Sequence, residues 1–263
     1  MIFFFLSTQP LWVSAPIVVG LGTLLSMVGL VLARRYVDVK SLTVNNEIAG
    51  HKFATIGVLY AVLLAFAIIV VWEKFADAEL DVVREAGAVK NILRLSQGVG
   101  DKARAVVRSA VANYLEAAIN DDWPAMDRGA AGAGGAANEA LDAVFSALVS
   151  SSGQGDTAVV SEMLRQADLV TQSRRARLIA SEGTVPNALW LVLLGGAVIT
   201  IGFTYFFGAE SLRAQMLMTA LLAIVIFSEL LIIVVIDRPF SGAVKVGPNP
   251  LAAVLAEDRV SAR

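Results

Sequence analysis

The sequence contains no cysteine and a single histidine, His51. The first absence removes disulfides, thiolate metal sites and a cysteine nucleophile. The second leaves little room for imidazole chemistry. Charge is scarce too. Only 17% of residues are Asp, Glu, Lys or Arg, and the formal net charge is −2, so no basic excess points to nucleic acid. No nucleophile–base pair and no metal-ligand set is visible, so neither an enzyme nor a cofactor is expected. What the chain does have is apolar: 57% of its 263 residues are hydrophobic, and its mean hydropathy is +0.69. A soluble core of this length cannot hide that much apolar surface, so a second apolar solvent, the lipid bilayer, is implied.

A bilayer core is crossed by about 20 apolar residues in a helix. Four stretches qualify: Trp12 to Ala33, closed by Arg34 and Arg35; Phe53 to Trp72, between Lys52 and Glu73; Ala188 to Gly208; and Met216 to Ile236, closed by Asp237, Arg238 and Pro239. Trp12, Trp72 and Trp190, with Phe203, Tyr205, Phe206 and Phe207, sit where interfacial anchors belong. A signal peptide begins with a basic segment. Met1 to Pro10 carries no charge, so the first stretch reads as a retained span. Four spans put both termini and the central segment on one face. Arg34, Arg35, Lys40 and Lys52 follow the uncharged N-terminus, so the positive-inside rule places their loop in the cytoplasm and the termini and helical domain on the outer face. Lys74, Lys90, Arg174, Arg175 and Arg177, which flank the central segment, pull the other way.

The expected architecture is all-α, with a first transmembrane pair in residues 1–72, an extramembrane helical domain in 73–187, a second pair in 188–236 and a tail in 237–263. Val82, Val83, Ala86, Val89, Leu93 and Leu95 extend the second span as a helical stripe, predicting one long helix that ends near Gly98. Asp101 is expected to cap a new helix that runs to about Asn120 and stops at Trp123–Pro124. Residues Gly129 to Ala137 are almost only Gly and Ala and read as a linker. A short helix over Asn138 to Val149 follows, and Asp156 or Thr157 caps a longer one to about Glu182. The result is a thin bundle of helices, two of which feed directly into spans.

Gly98-Val99-Gly100-Asp101 matches the Gly-x-Gly-Asp string of intramembrane aspartyl proteases, but it lies far beyond the span and reads as a helix stop followed by a helix start. Gly132-Ala133-Gly134 lacks the further glycine or lysine of a phosphate loop. Glu229 is different, being a carboxylate inside the fourth span. It reads either as an ion or proton pathway residue or as a carboxyl that holds helices together. Gly57, Ala61 and Ala65 on the second span, and Gly196, Thr200 and Thr204 on the third, form narrow stripes. Such stripes serve close packing within one subunit or an oligomer and pore seam. Arg174, Arg175 and Arg177 are suited either to draw anions or to contact lipid headgroups.

Asn46-Glu47-Ile48-Ala49-Gly50, the run Gly57 to Phe66, Trp72-Glu73, Glu85-Ala86, Trp123-Pro124 and the closing Asp237-Arg238-Pro239-Phe240-Ser241-Gly242 span nearly the whole chain. Together they resemble the bacterial bestrophin-like family of membrane proteins. The resemblance implies a four-span subunit of an oligomeric ion channel in the bacterial inner membrane, with small anions as the first class of permeant ion and a homo-oligomer as the working form. Bestrophins are pentameric and carry an aromatic-rich neck on the second span, where this sequence offers Tyr60 and Phe66. They keep their helical domain in the cytosol, opposite to the orientation drawn from charge. A scaffold or sensor anchored in the membrane, without transport, is the competing reading.

Overall fold

A computed structural model describes residues 7–37, 46–130, 135–153, 156–183 and 185–261. Among these residues every regular element is a helix. Lys40, Asn45 and the centre of the Gly/Ala run, 131–134, lie outside the described residues. The chain forms two compact units. One comprises residues 1–73 and 184–237, the other 74–183 and 238–263.

The first unit holds the spanning segments. Helix α1 covers Leu11–Tyr36. Its turns widen to a π-helix over Pro16–Leu21, because Pro16 has no N–H to continue the ordinary ladder. Helix α2, Asn46–Leu95, is 50 residues long and contributes its first half to this unit. The third and fourth spanning helices are α7, Asn187–Phe203, extended by a 3-10 turn to Phe206, and α8, Leu212–Ile236. All four are long and apolar enough to cross a bilayer, so the protein is an integral, four-span, all-α membrane protein. Ser211 starts α8 by accepting the Ala214 N–H. The inward stripe of α8 is Gln215, Thr219, Ala223, Ile226, Leu230 and Ile233, spaced three and four residues apart as one helical face requires.

The aromatic anchors divide. Trp12 and Trp72 are exposed, as an interfacial role requires, and so is Phe206. Trp190 is buried, Tyr205 donates its hydroxyl to the Ser26 carbonyl at 2.7 Å, and Phe203 and Phe207 pack against Phe53. Packing between spans thus claims several of the rings expected at the lipid interface.

The second unit is a helical bundle built from the second half of α2 and from α3 (Asp101–Ala117), α4 (Trp123–Asp127), α5 (Gly135–Ser150), α6 (Thr157–Ala180) and α9 (Asn249–Ser261). Helix α2 ends in a 3-10 turn at Ser96–Gly98, where the stripe pattern placed its end. Its core combines Val82, Val89 and Ile92 with Val107, Val111, Tyr114, Leu148, Met163, Val170 and Leu251. Asp156 caps α6 by accepting the Ala158 N–H at 2.9 Å.

Three local expectations need correction. Gly100, not Asp101, is the N-cap of α3; Asp101 is its first residue and pairs with Arg104. Trp123–Pro124 does not stop the chain's helical course. A π-helical stretch, Ala118–Asp122, absorbs the break, and Pro124 falls in the first turn of α4, where its missing N–H is tolerated. Gly135 to Ala137, assigned to a linker, form the first turn of α5.

Candidate functional site

In the spanning unit, polar side chains are mostly committed to holding helices together. Asn46 opens α2 and clasps Gly208 from both sides, donating to its carbonyl at 2.8 Å and accepting its N–H at 2.9 Å. The Gln215 amide donates to the carbonyls of Thr204 and Phe207 and accepts from the Arg34 guanidinium, which also reaches the Ala209 carbonyl. These bonds stitch the α7–α8 loop to α1 and α2, so the backbone groups freed at the end of α7 are not left orphaned. Asn46, one of the residues that carry the resemblance, is therefore a loop clamp.

Tyr60 is buried and donates its hydroxyl to the Leu193 carbonyl at 2.9 Å. Its ring lies across Gly196 so closely that a Cβ there would sit 2.4 Å from it. Gly196 on α7 is therefore a packing seat for α2. Thr204 bonds the Ile201 carbonyl and meets Thr219, while the Thr200 hydroxyl is buried without a hydrogen-bond partner.

The other stripe behaves differently. Gly57 has nothing within 4 Å of where its Cβ would lie, and Ala61 and Ala65 are exposed. Packing among the described residues does not use them. Around them, Val58, Leu59, Val62, Phe66, Ile69, Val70 and Trp72 are exposed as well, Phe66 at 64%. Only the opposite face of this half of α2, carrying Tyr60, Leu64, Ala67 and Val71, is buried. Glu47, Gly50 and Glu73 belong to the open part of the helix. Glu229 on α8 is half-buried, between the inward Ile226 and Leu230.

In the second unit the residues that carried the resemblance converge. Glu85 on α2 is fully buried. Arg177 on α6, also fully buried, donates to it from Nε at 2.8 Å and Nη2 at 3.1 Å, and the Tyr114 hydroxyl donates at 2.7 Å. Arg177 also reaches Asp122 at 3.1 Å and stands 4.2 Å above the Trp123 ring. Asp122 pairs with Arg174, which bonds Asn138 as well. Phe240 closes on the edge of Trp123, whose indole N–H donates to the Val246 carbonyl at 3.2 Å. Gly242, at φ 84°, makes the turn that returns Val246 to the Pro239 carbonyl. Two guanidiniums facing two carboxylates balance the charge, and each buried ion has fixed partners. Burial opposes the charge on Arg177, but Glu85, Tyr114 and Asp122 together outweigh it and hold the guanidinium above its ordinary value. Burial first, and then the Glu85 charge, push Tyr114 well above the usual phenol range.

This geometry overturns one expectation. Arg174 and Arg177 neither draw anions nor touch headgroups, because carboxylates of their own unit consume both; of the three, only Arg175 is exposed. Pro124 follows Trp123 in the first turn of α4. Asp237 accepts the Val185 N–H at 2.8 Å, and Arg238 donates to the Ser181 carbonyl. No described group of His, Asp and Glu could hold a metal ion.

A family model for the Bestrophin-like domain matches residues 20–251. No curated protein matches the chain. Among solved structures, a point variant of a bacterial bestrophin homologue from Klebsiella pneumoniae aligns at a TM-score of 0.69 and 13% identity, over 92% of this chain and 99% of that one. Another crystal structure of a Klebsiella pneumoniae bestrophin homologue gives 0.69 at 12% identity, over 92% and 97%. A variant of a protein described only as a membrane protein gives 0.68 at 14%, over 92% and 96%. At these identities the likeness establishes the fold.

Proposed function

The chain belongs to the Bestrophin-like family, and from that premise we propose that it is a homo-oligomeric ion channel of the bacterial inner membrane, with small anions as the first permeant class. The observation that carries the proposal is the uncovered face of α2. Leu30, Leu64, Leu193, Ile226 and Leu230 fill the space between the spans of one chain. A water-filled route therefore belongs between chains, and closed rotational symmetry is the ordinary way to build one. The α2 face carrying Val58, Ala61, Val62, Ala65, Phe66 and Ile69 has no partner among the described residues, and Ala61 and Ala65 leave room for close approach. Phe66 is the aromatic we assign to the constriction. Tyr60 is assigned to holding α2 on α7, and Thr204 to the contact between the end of α7 and α8.

Two measurements test this. The purified protein in nanodiscs is expected to be a symmetric oligomer by native mass spectrometry, and proteoliposomes are expected to pass chloride. Phe66→Ala, at an exposed position, is expected to change flux while leaving the oligomer intact. A monomer would remove the channel reading and favour a membrane-anchored scaffold built around the separately packed helical unit. Glu229→Gln is expected to alter flux or its pH dependence; unchanged flux would leave Glu229 as a helix-joining group. For orientation we retain the outer-face placement of the termini and helical unit, supported by Arg34, Arg35 and Lys52 after an uncharged N-terminus.

A further inference from the structure

The helical unit contains a cavity of about 250 Å³ with an unusual concentration of positive charge. Lys90 and Arg94 lie one turn apart on α2, and Arg104 and Arg108 lie one turn apart on α3; all four line the cavity. Like charges four residues apart on a helix repel, so each pair works against its own helix unless something answers it. Helix α9 answers in part. Glu257 meets Lys90 at 2.5 Å, and Asp258 meets Arg108 at 2.8 Å. Arg104 has only Asp101 from its own helix, a carboxylate whose side chain is 89% exposed and therefore weakly held. Among the described residues no carboxylate pairs with Arg94. Gln97, with its exposed side chain, completes the rim. Four cations against two lining carboxylates leave the cavity with net positive charge, and the two least-compensated cations are both guanidiniums.

We propose that this cavity binds a phosphate group, held by Arg94 and Arg104 with the Gln97 amide beside them. The planar guanidinium fork matches the paired oxygens of a phosphate, and a dianion supplies the charge that two fixed carboxylates do not. Lys90 and Arg108 are positioned by Glu257 and Asp258 and supply the field around the site. The inference is independent of whether the protein conducts ions. The phosphate belongs either to a free anion or to a soluble phosphomonoester, since the recognising chemistry is the same.

The test is calorimetric titration of inorganic phosphate into the full-length chain in phosphatidylcholine nanodiscs. Saturable binding is expected. Arg94→Gln should weaken it at least about tenfold, the scale of one lost charge-assisted bond. Arg94 is exposed, so folding should be spared. Arg175→Gln, at an exposed arginine outside the cavity, should bind like the unsubstituted protein. Repeating the titration with glycerol 3-phosphate in place of inorganic phosphate separates the two sources. Tighter binding of the ester identifies a phosphomonoester as the occupant, whereas tighter binding of inorganic phosphate identifies the free anion. Absence of saturable phosphate binding, or equal affinity in Arg94→Gln, overturns the proposal.

Discussion

Replacing Arg177 with methionine removes the centre of the buried cluster while keeping an unbranched side chain of similar reach. Glu85 loses two of its three bonds and keeps only the Tyr114 hydroxyl; Asp122 loses one donor and keeps Arg174. Trp123 loses the cation over its face. The dominant effect is a fully buried carboxylate left without its countercharge. Breaking a buried pair from one side costs about 3–5 kcal/mol, a large share of the ~5–15 kcal/mol that stabilises an ordinary domain. Amide hydrogen exchange of the full-length protein reads this locally. Peptides from residues 78–92 and 166–178 should lose protection by about two to more than three orders of magnitude. Adding Glu85→Gln to Arg177→Met should recover part of the loss, because an amide needs no countercharge. A single-variant loss below about 1 kcal/mol, the range of an exposed surface pair, would refute the assignment of a buried, mutually dependent network.

Tyr114 gives the same cluster a signature in pH. Its phenol is raised in the folded state, so above about pH 10 the folded chain holds a proton that the unfolded chain releases; stability should fall as pH rises from there, and Tyr114→Phe should flatten that slope in a pH series of melting temperatures. Gly196→Ala should lower the melting temperature through overpacking of about 1–3 kcal/mol against the Tyr60 ring, while Gly57→Ala, with open space at its Cβ, should leave subunit folding unchanged in the same assay. Alkaline phosphatase fused after Gly153 should be active and after Lys40 inactive; the reverse pattern would place the helical unit in the cytoplasm, as in bestrophins.

The four spans were legible because each is a long apolar run bounded by charge, and that pattern admits few other structures in water or lipid. The length of α2 was legible because its apolar stripe continues past Trp72 without a proline. The course through Trp123–Pro124 was not, because a π-helical stretch leaves no mark that distinguishes it from a stop. The fate of the arginines was hidden for a different reason. Arg177 meets Glu85 from 92 residues away and Asp122 from 55, and neither separation carries a local signal. Glu85 and Trp123 were visible as motif residues, but their shared target was not. Helix α9 was not anticipated at all, since Asn249–Ser261 has only a weak apolar stripe, of which Leu251, Val254 and Leu255 are buried.

The motif residues fall into two groups with different physical demands. Glu85, Trp123, Phe240 and Asn46 have their contacts met inside the chain, by Arg177, by each other or by Gly208. Their identity follows from folding alone. Phe66 and Trp72 are large apolar side chains 64% and 62% exposed on a spanning helix, and Glu47 and Glu73 are exposed carboxylates on that same helix. Nothing among the described residues explains the ring of Phe66, and lipid alone would accept any aliphatic residue in its place. A second α2 would not, because a ring opposed to its symmetry mates sets both the width and the polarity of the gap between them. The surface that folding leaves unexplained at Phe66 therefore coincides with the surface on which the proposed channel between subunits depends.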